Sequence, residues 1–287
     1  MKTTNTFSPL TFKRAALAVC VVFALAACNG DDGDTGPQGQ MGTPGIDGED
    51  GQNGSPAFPV GKFLVAANGS TNVGEVSVVD QNAAALKMFS TGNNEGIALD
   101  SLGNALQAGD VSQGSLRTIC NVSSRSNNSA FDANTDREIT GATTGLVNPK
   151  GIHIAQGAGL VMIADFNGSR ISIFGTAAGG DVAPLAETIT SAMPWDLAYD
   201  EVNDRLFVAL TDGTVAVYDD YIASDFAAMP ARVITPSDDT MTGISVNIHG
   251  IVYDRDSDKL VLSDVGSAQS PTDGAIFVIG GAASADG

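Results

Sequence analysis

Gly151–Phe174 reads GIHIAQGAGLVMIADFNGSRISIF. Three apolar runs are set between two glycine turns. Ile152 and Ile154 alternate around His153, Leu160–Ala164 is continuously apolar and ends on Asp165, and Ile171 and Ile173 alternate after Arg170. Runs this short, rich in Val and Ile and bounded by Gly, predict strands rather than helical turns. Related versions occur before and after, so the stretch reads as one unit of a repeat, and a repeat decides the fold.

Outward from this copy, second strands align as KFLVAAN ending at Asn68, NALQAGD at Asp110, GLVMIAD at Asp165, RLFVALT at Thr211 and KLVLSD at Asp264. Third strands follow from Gly74, Gly114, Gly168, Gly213 and Gly274, and first strands occupy 96–100, 151–155, 196–200 and 250–254. A repeat of roughly 40–55 residues with three or four short strands each predicts an all-β fold, a β-propeller of four-stranded blades. No stretch has the period of a long amphipathic helix, which excludes βαβ alternation. About five copies are visible. The first lacks a first strand and the last stops after its third at Gly280, so the reading expects a propeller that is truncated or incompletely closed, since a closed ring must hide its edge strands.

Pro149-Lys150-Gly151-Ile152 with Ala164-Asp165 and Arg170-Ile171 resembles the NHL and YVTN-type propeller repeats of exported bacterial proteins. The resemblance spans about residues 60–280. It implies the fold, while function varies among proteins that share it.

Ahead of the repeats, Lys13-Arg14, the apolar run Ala15–Leu25 and the small Ala26-Ala27 form a targeting segment over residues 1–27. Leu25-Ala26-Ala27-Cys28 resembles the bacterial lipobox. That resemblance implies a lipidated Cys28, an exported lipoprotein, and, with Asn29 following, a lipid anchor at the outer membrane or cell surface, facing either outward or the periplasm. Cys20 would leave with the signal and Cys28 would carry lipid, so no intramolecular disulfide is expected. Residues 28–59 then form a linker. Gly recurs at every third position from Gly30 to Gly54, the collagen pattern, but proline is confined to Pro37, Pro44 and Pro56 and the acids lack basic partners. The stretch 30–56 is read as a tether of about 30 Å, with a homotrimer of about 80 Å as the alternative. Residues 60–287 are the propeller domain.

The net charge is −19. Removing residues 1–27, which hold Lys2, Lys13, Arg14 and no acid, leaves 11 basic against 33 acidic residues. That balance repels phosphate backbones and excludes nucleic acid as a partner class.

Aligning the first strands puts Glu95, Lys150, Trp195 and His249 at one equivalent position, where a propeller places the rim of its central channel. An acid, a base, an aromatic and an imidazole converging there form a candidate ligand-binding ring. The other reading is that four loop residues are merely solvated. His153, at a position held elsewhere by Ala98, Ala198 and Val252, reads as a core histidine. With two histidines in the chain no Ser-His-Asp set or multi-histidine metal site is expected, and no catalytic residue is assigned. Asp254, Asp256 and Asp258 have the alternation of a calcium loop, but Lys259 stands where Gly is needed and Val265 where a bidentate Glu is needed, so a polar hairpin is preferred and no cofactor beyond a candidate Ca²⁺ is expected.

The expected function is binding or scaffolding, for an extracytoplasmic protein, glycan or small ligand. The alternative implied by the resemblance is a lactonase- or lyase-like enzyme with a divalent cation in the channel, for which Glu95 alone supplies a carboxylate.

Overall fold

The computed structural model describes residues 63–67, 75–79, 85–110, 113–226, 229–238, 243–268, 270 and 273–287, with side chains from 88 onward. The signal segment, Cys28 and the Gly-X-Y stretch lie outside the described residues.

Among the described residues nineteen strands form five sheets, taken up in chain order. The first sheet joins β1 (Phe63–Ala67), β2 (Glu75–Val79) and β3 (Ala85–Ser90), and its fourth strand is β7 (Ser129–Ala130), parallel to β3. The second runs β4 (Ile97–Leu99), β5 (Ala105–Gly109), β6 (Ser115–Ile119), β8 (Arg137–Ile139). The third is β9 (Pro149–Ala155), β10 (Leu160–Asp165), β11 (Arg170–Gly175), β12 (Ala186–Ile189). The fourth is β13 (Pro194–Asp200), β14 (Arg205–Leu210), β15 (Val215–Tyr218), β16 (Arg232–Ile234). The fifth has three strands among the described residues, β17 (Ile248–Asp254), β18 (Lys259–Asp264) and β19 (Ala275–Gly280). The expected antiparallel meanders are therefore present.

The core lies between sheets, because the second to fifth sheets are apolar on both faces. Met162 and Ile173 of the third sheet pack on Leu197, Leu206 and Val208 of the fourth. Phe207 and Val217 on the fourth sheet's other face pack on Ile251, Leu260 and Leu262 of the fifth. Val161 and Ile163 pack back on Leu106 and Leu116 of the second. This continuous apolar strand, buried on both sides, is why Leu160–Ala164 does not alternate. Innermost strands β4, β9, β13 and β17 touch in succession, so the sheets stack as propeller blades do. At Gly96 the approach is so close that a Cβ would collide with the backbone of Lys150 and Gly151.

Two strand ends differ from the sequence alignment. Pro149 pairs with Asp165 and Ile248 with Asp264, but the matching partner of Pro194 is Leu210, and the same register in the second sheet falls on Gly109. Thr211 and Asp110 thus sit one residue beyond Asp165. Among the second to fifth sheets the aspartate signature belongs to the third and fifth.

The series stops at the fifth sheet. Val252, Val261 and Val278 are 63, 37 and 62% exposed and Ile276 is 67% exposed, on a face that no described residue covers. The fold is an open or incomplete propeller.

Candidate ligand-binding rim

The loop leading into each inner strand is pinned from the end of the second strand. Asp165 accepts the N–H groups of Val147 and Asn148, at 3.1 and 2.7 Å to Oδ1. Asp264 accepts those of Val246 (2.6 Å), Asn247 and Gly266 (2.6 Å) and the Ser245 hydroxyl. The next residue closes the loop through its own N–H, Phe166 to Asn148 O, Thr211 to Met193 O and Val265 to Asn247 O, all 2.9–3.0 Å. Carboxylates fixed this way orient backbone, and Asp165 additionally pairs with Arg170 at 3.3 Å.

Immediately after the pin, the inner strand bulges. The register shifts between Ile163 and Asp165 opposite Lys150–Gly151, between Pro194 and Asp196 at Trp195, and between Ile248 and Gly250 at His249. A bulge leaves one residue unpaired and re-aims its side chain. Lys150, Trp195 and His249 are those residues, turned sideways toward neighbouring sheets.

All four residues aligned from sequence form one row. Lys150 Nζ lies 2.6 Å from Glu95 Oε1 and 2.7 Å from Asp110 Oδ2. The same ammonium stands 5.2 Å from the centre of the Trp195 ring. The Trp195 and His249 rings stack with centroids 3.5 Å apart and planes 5° from parallel, and Phe166 meets Trp195 edge-on at 5.2 Å. One residue from each of four sheets takes part. Asp110 and Phe166 were not among the candidate rim residues read from sequence. The signal for them is the corrected register, in which both occupy the residue just past the second strand and reach the next sheet's bulge.

The row is an ion cluster at one end and an aromatic stack at the other. The Lys150 side chain is 7% exposed and its charge is spent on two carboxylates. Burial raises the Glu95 carboxyl above its usual value against the pull of Lys150, whereas at Asp110 burial is outweighed by Lys150 and Asn94, which hold it below. Burial lowers the His249 imidazole, with Asp264 opposing and Lys150 adding, so it is neutral at pH 7.

Next to Trp195, Asp196 stands where the other sheets have Gly96, Gly151 and Gly250. Its carboxyl fills the space that Gly151 leaves and accepts the N–H groups of Leu197 (2.9 Å) and Ile251 (3.3 Å). Burial pushes it up to about 7.

His153 is held edge-on to Tyr199 at 6.1 Å, and burial lowers its imidazole. In the Asp254–Asp258 hairpin, Asp254 accepts the Asp256 N–H and Ser257 hydroxyl, and Asp258 accepts the Tyr253 hydroxyl and Ala283 N–H. Asp204 does the same for Tyr199, Ile222 and Ala223 one sheet earlier, which is turn chemistry. Among the described residues no three His, Cys, Asp or Glu side chains group around a common point. Cys20 and Cys28, the cysteines besides Cys120, lie outside the described residues, and so does the expectation of no intramolecular bridge.

No protein-family profile matches the sequence, and no curated protein matches it. Solved structures do. A chain of the nidogen/laminin complex aligns with TM-score 0.52 at 15% identity, covering 77% of this chain and 79% of that one. A chain of the hydrazine synthase of Kuenenia stuttgartiensis aligns with TM-score 0.50 at 14% identity, covering 82% and 67%. At such identities the likeness is one of fold. The chain has a β-propeller-type fold.

Proposed function

We propose that this chain is an exported, lipid-anchored propeller whose loop end binds an extracytoplasmic protein, glycan or small ligand. The observation that carries the reading is the row Glu95–Lys150–Trp195–His249, in which bulges of three sheets bring Lys150, Trp195 and His249 into line with Glu95 of a fourth. Around it the same end of the sheets exposes apolar Val147, Met193, Val246 and Val265. The Thr211 N–H bonds to Met193 O, and the Gly213 turn lies against the Ser245-Val246 backbone, so these loops of the fourth and fifth sheets adjoin. Exposed apolar surface beside fixed polar groups is what a binding face offers. The nidogen/laminin neighbour, a propeller-type chain in a protein complex, is compatible with a protein partner.

The chain has one tryptophan, so Trp195 emission reports on the rim. Titration with an oligolysine peptide, a neutral oligosaccharide and calcium chloride is expected to shift emission for one probe, and Lys150→Met is expected to abolish that shift. Emission unmoved by every probe in a folded chain removes the rim as the binding site; a shift with calcium alone supports the divalent-cation enzyme instead.

In this proposal residues 1–27 are removed, Cys28 carries lipid, and 30–56 hold the propeller off the membrane as a tether. Cys28→Ala should release the protein from membranes. Mass spectrometry should find a thioether at Cys28; a Cys28–Cys120 disulfide would preclude it.

A further inference from the structure

Each sheet from the second to the fourth buries one face under its successor, and the rows involved are equivalent by register. In the third sheet the row is His153, Met162, Ile173; in the fourth it is Ala198, Phe207, Val217; in the fifth it is Val252, Val261, Val278. Met162, Ile173, Phe207 and Val217 are fully buried, while the three valines of the fifth sheet face solvent. Ile276, paired with Ser263, extends the exposed row toward the loop end, and Asp254 pairs with Lys259 at the opposite margin. A flat face of four β-branched aliphatic side chains is the chemistry of a sheet seam, and monomers rarely leave such a face bare.

We infer that this face is an interface between two copies of the chain, packed fifth sheet on fifth sheet about a two-fold axis. Charge selects the occupant. The chain carries −19, so two copies repel over most of their surface. This face is neutral: apolar in the middle, with one base, Lys259, and one acid, Asp254, at its margin, so a two-fold can set Lys259 of each copy toward Asp254 of the other. The face is also small beside the roughly 800 Å² per partner of a stable complex, so the pairing is expected to be weak, in the micromolar range.

Sedimentation equilibrium of the full chain over a hundredfold concentration range tests the pairing. A monomer–dimer equilibrium is expected, weakened at least tenfold by Val278→Glu and by Val261→Lys, with circular dichroism unchanged because both side chains already contact solvent. Lys259→Asp should weaken it, and Asp254→Lys with Lys259→Asp should restore it. Deletion of residues 30–56 should leave it intact. The inference is overturned by a chain that stays monomeric at all concentrations, by a dimer indifferent to both face substitutions, or by a trimer lost with residues 30–56. A monomer in which Val278→Cys resists thiol reagents places the chain's own first sheet on this face and also overturns it. Rim binding followed by Trp195 emission is unaffected by these variants, so failure here leaves that proposal standing.

Discussion

The fourth and fifth sheets have the same strand pattern and register, yet one is a core element and the other leaves one face at the surface. In the fourth, Phe207 is packed between sheets and both faces are covered. In the fifth, Leu260 and Leu262 are buried while Val261, between them, lies open. Strand pattern is a property of the segment. Burial is a property of what stands next to it.

That contrast can be tested residue by residue. Phe207→Ala should cost about 3–5 kcal/mol in urea unfolding, as a large buried ring lost from a closed seam, while Val261→Ala at the equivalent position should cost well under about 1 kcal/mol. Equal losses would show the fifth-sheet face to be covered.

The rim shows the next largest effect. Lys150→Met leaves Glu95 and Asp110 without their shared cation and should destabilise by about 2–4 kcal/mol at pH 7. The loss should shrink at pH 4, where protonated carboxyls no longer need it. A loss independent of pH would mean that Lys150 acts through its packing.

Asp196 separates the fourth sheet from its glycine-bearing neighbours. Its folded value of about 7 lies above the unfolded 3.8, so the folded state holds the proton more tightly and stability falls as pH rises from about 4 to about 7. Asp196→Asn should remove that fall, a gain at pH 8 of up to about 4 kcal/mol, a little over three units at about 1.4 kcal/mol each. An unchanged pH profile would show that Asp196 does not titrate in this window.

The smallest effect belongs to the aromatic stack. Protonated imidazole quenches an adjacent indole, so Trp195 emission should drop on acidification with a midpoint below 6.5, and His249→Ala should remove the step at a cost of about 0.5–1.5 kcal/mol. A midpoint above 6.5 would mean the imidazole is stabilised in its charged form.

Much of this molecule was legible in the sequence. Gly151–Phe174 supplied the register that aligned Glu95, Lys150, Trp195 and His249, and the structure brings those four side chains into one row. Register carries over because strands repeat every two residues and loops of similar length return the chain to the same end of each sheet. It failed where the signature residue varies: Thr211 and Asp110 imitate Asp165 by composition but lie one residue later, and pairing alone reveals the slip. Asp110 and Phe166 escaped notice for that reason, and Asp196 because a lone acid among apolar residues announces nothing about burial.

The amino-acid sequence by itself determined the strands, their grouping and the end of the sheets at which the rim residues sit, because these follow from local periodicity and turn chemistry. Only tertiary structure decided that bulges turn Lys150, Trp195 and His249 toward one another, that Lys150 is consumed by two carboxylates, and that Val252, Val261 and Val278 stand uncovered. Those outcomes depend on which surfaces meet across sheets, and contacts between residues some fifty positions apart leave no mark in the pattern of any one segment.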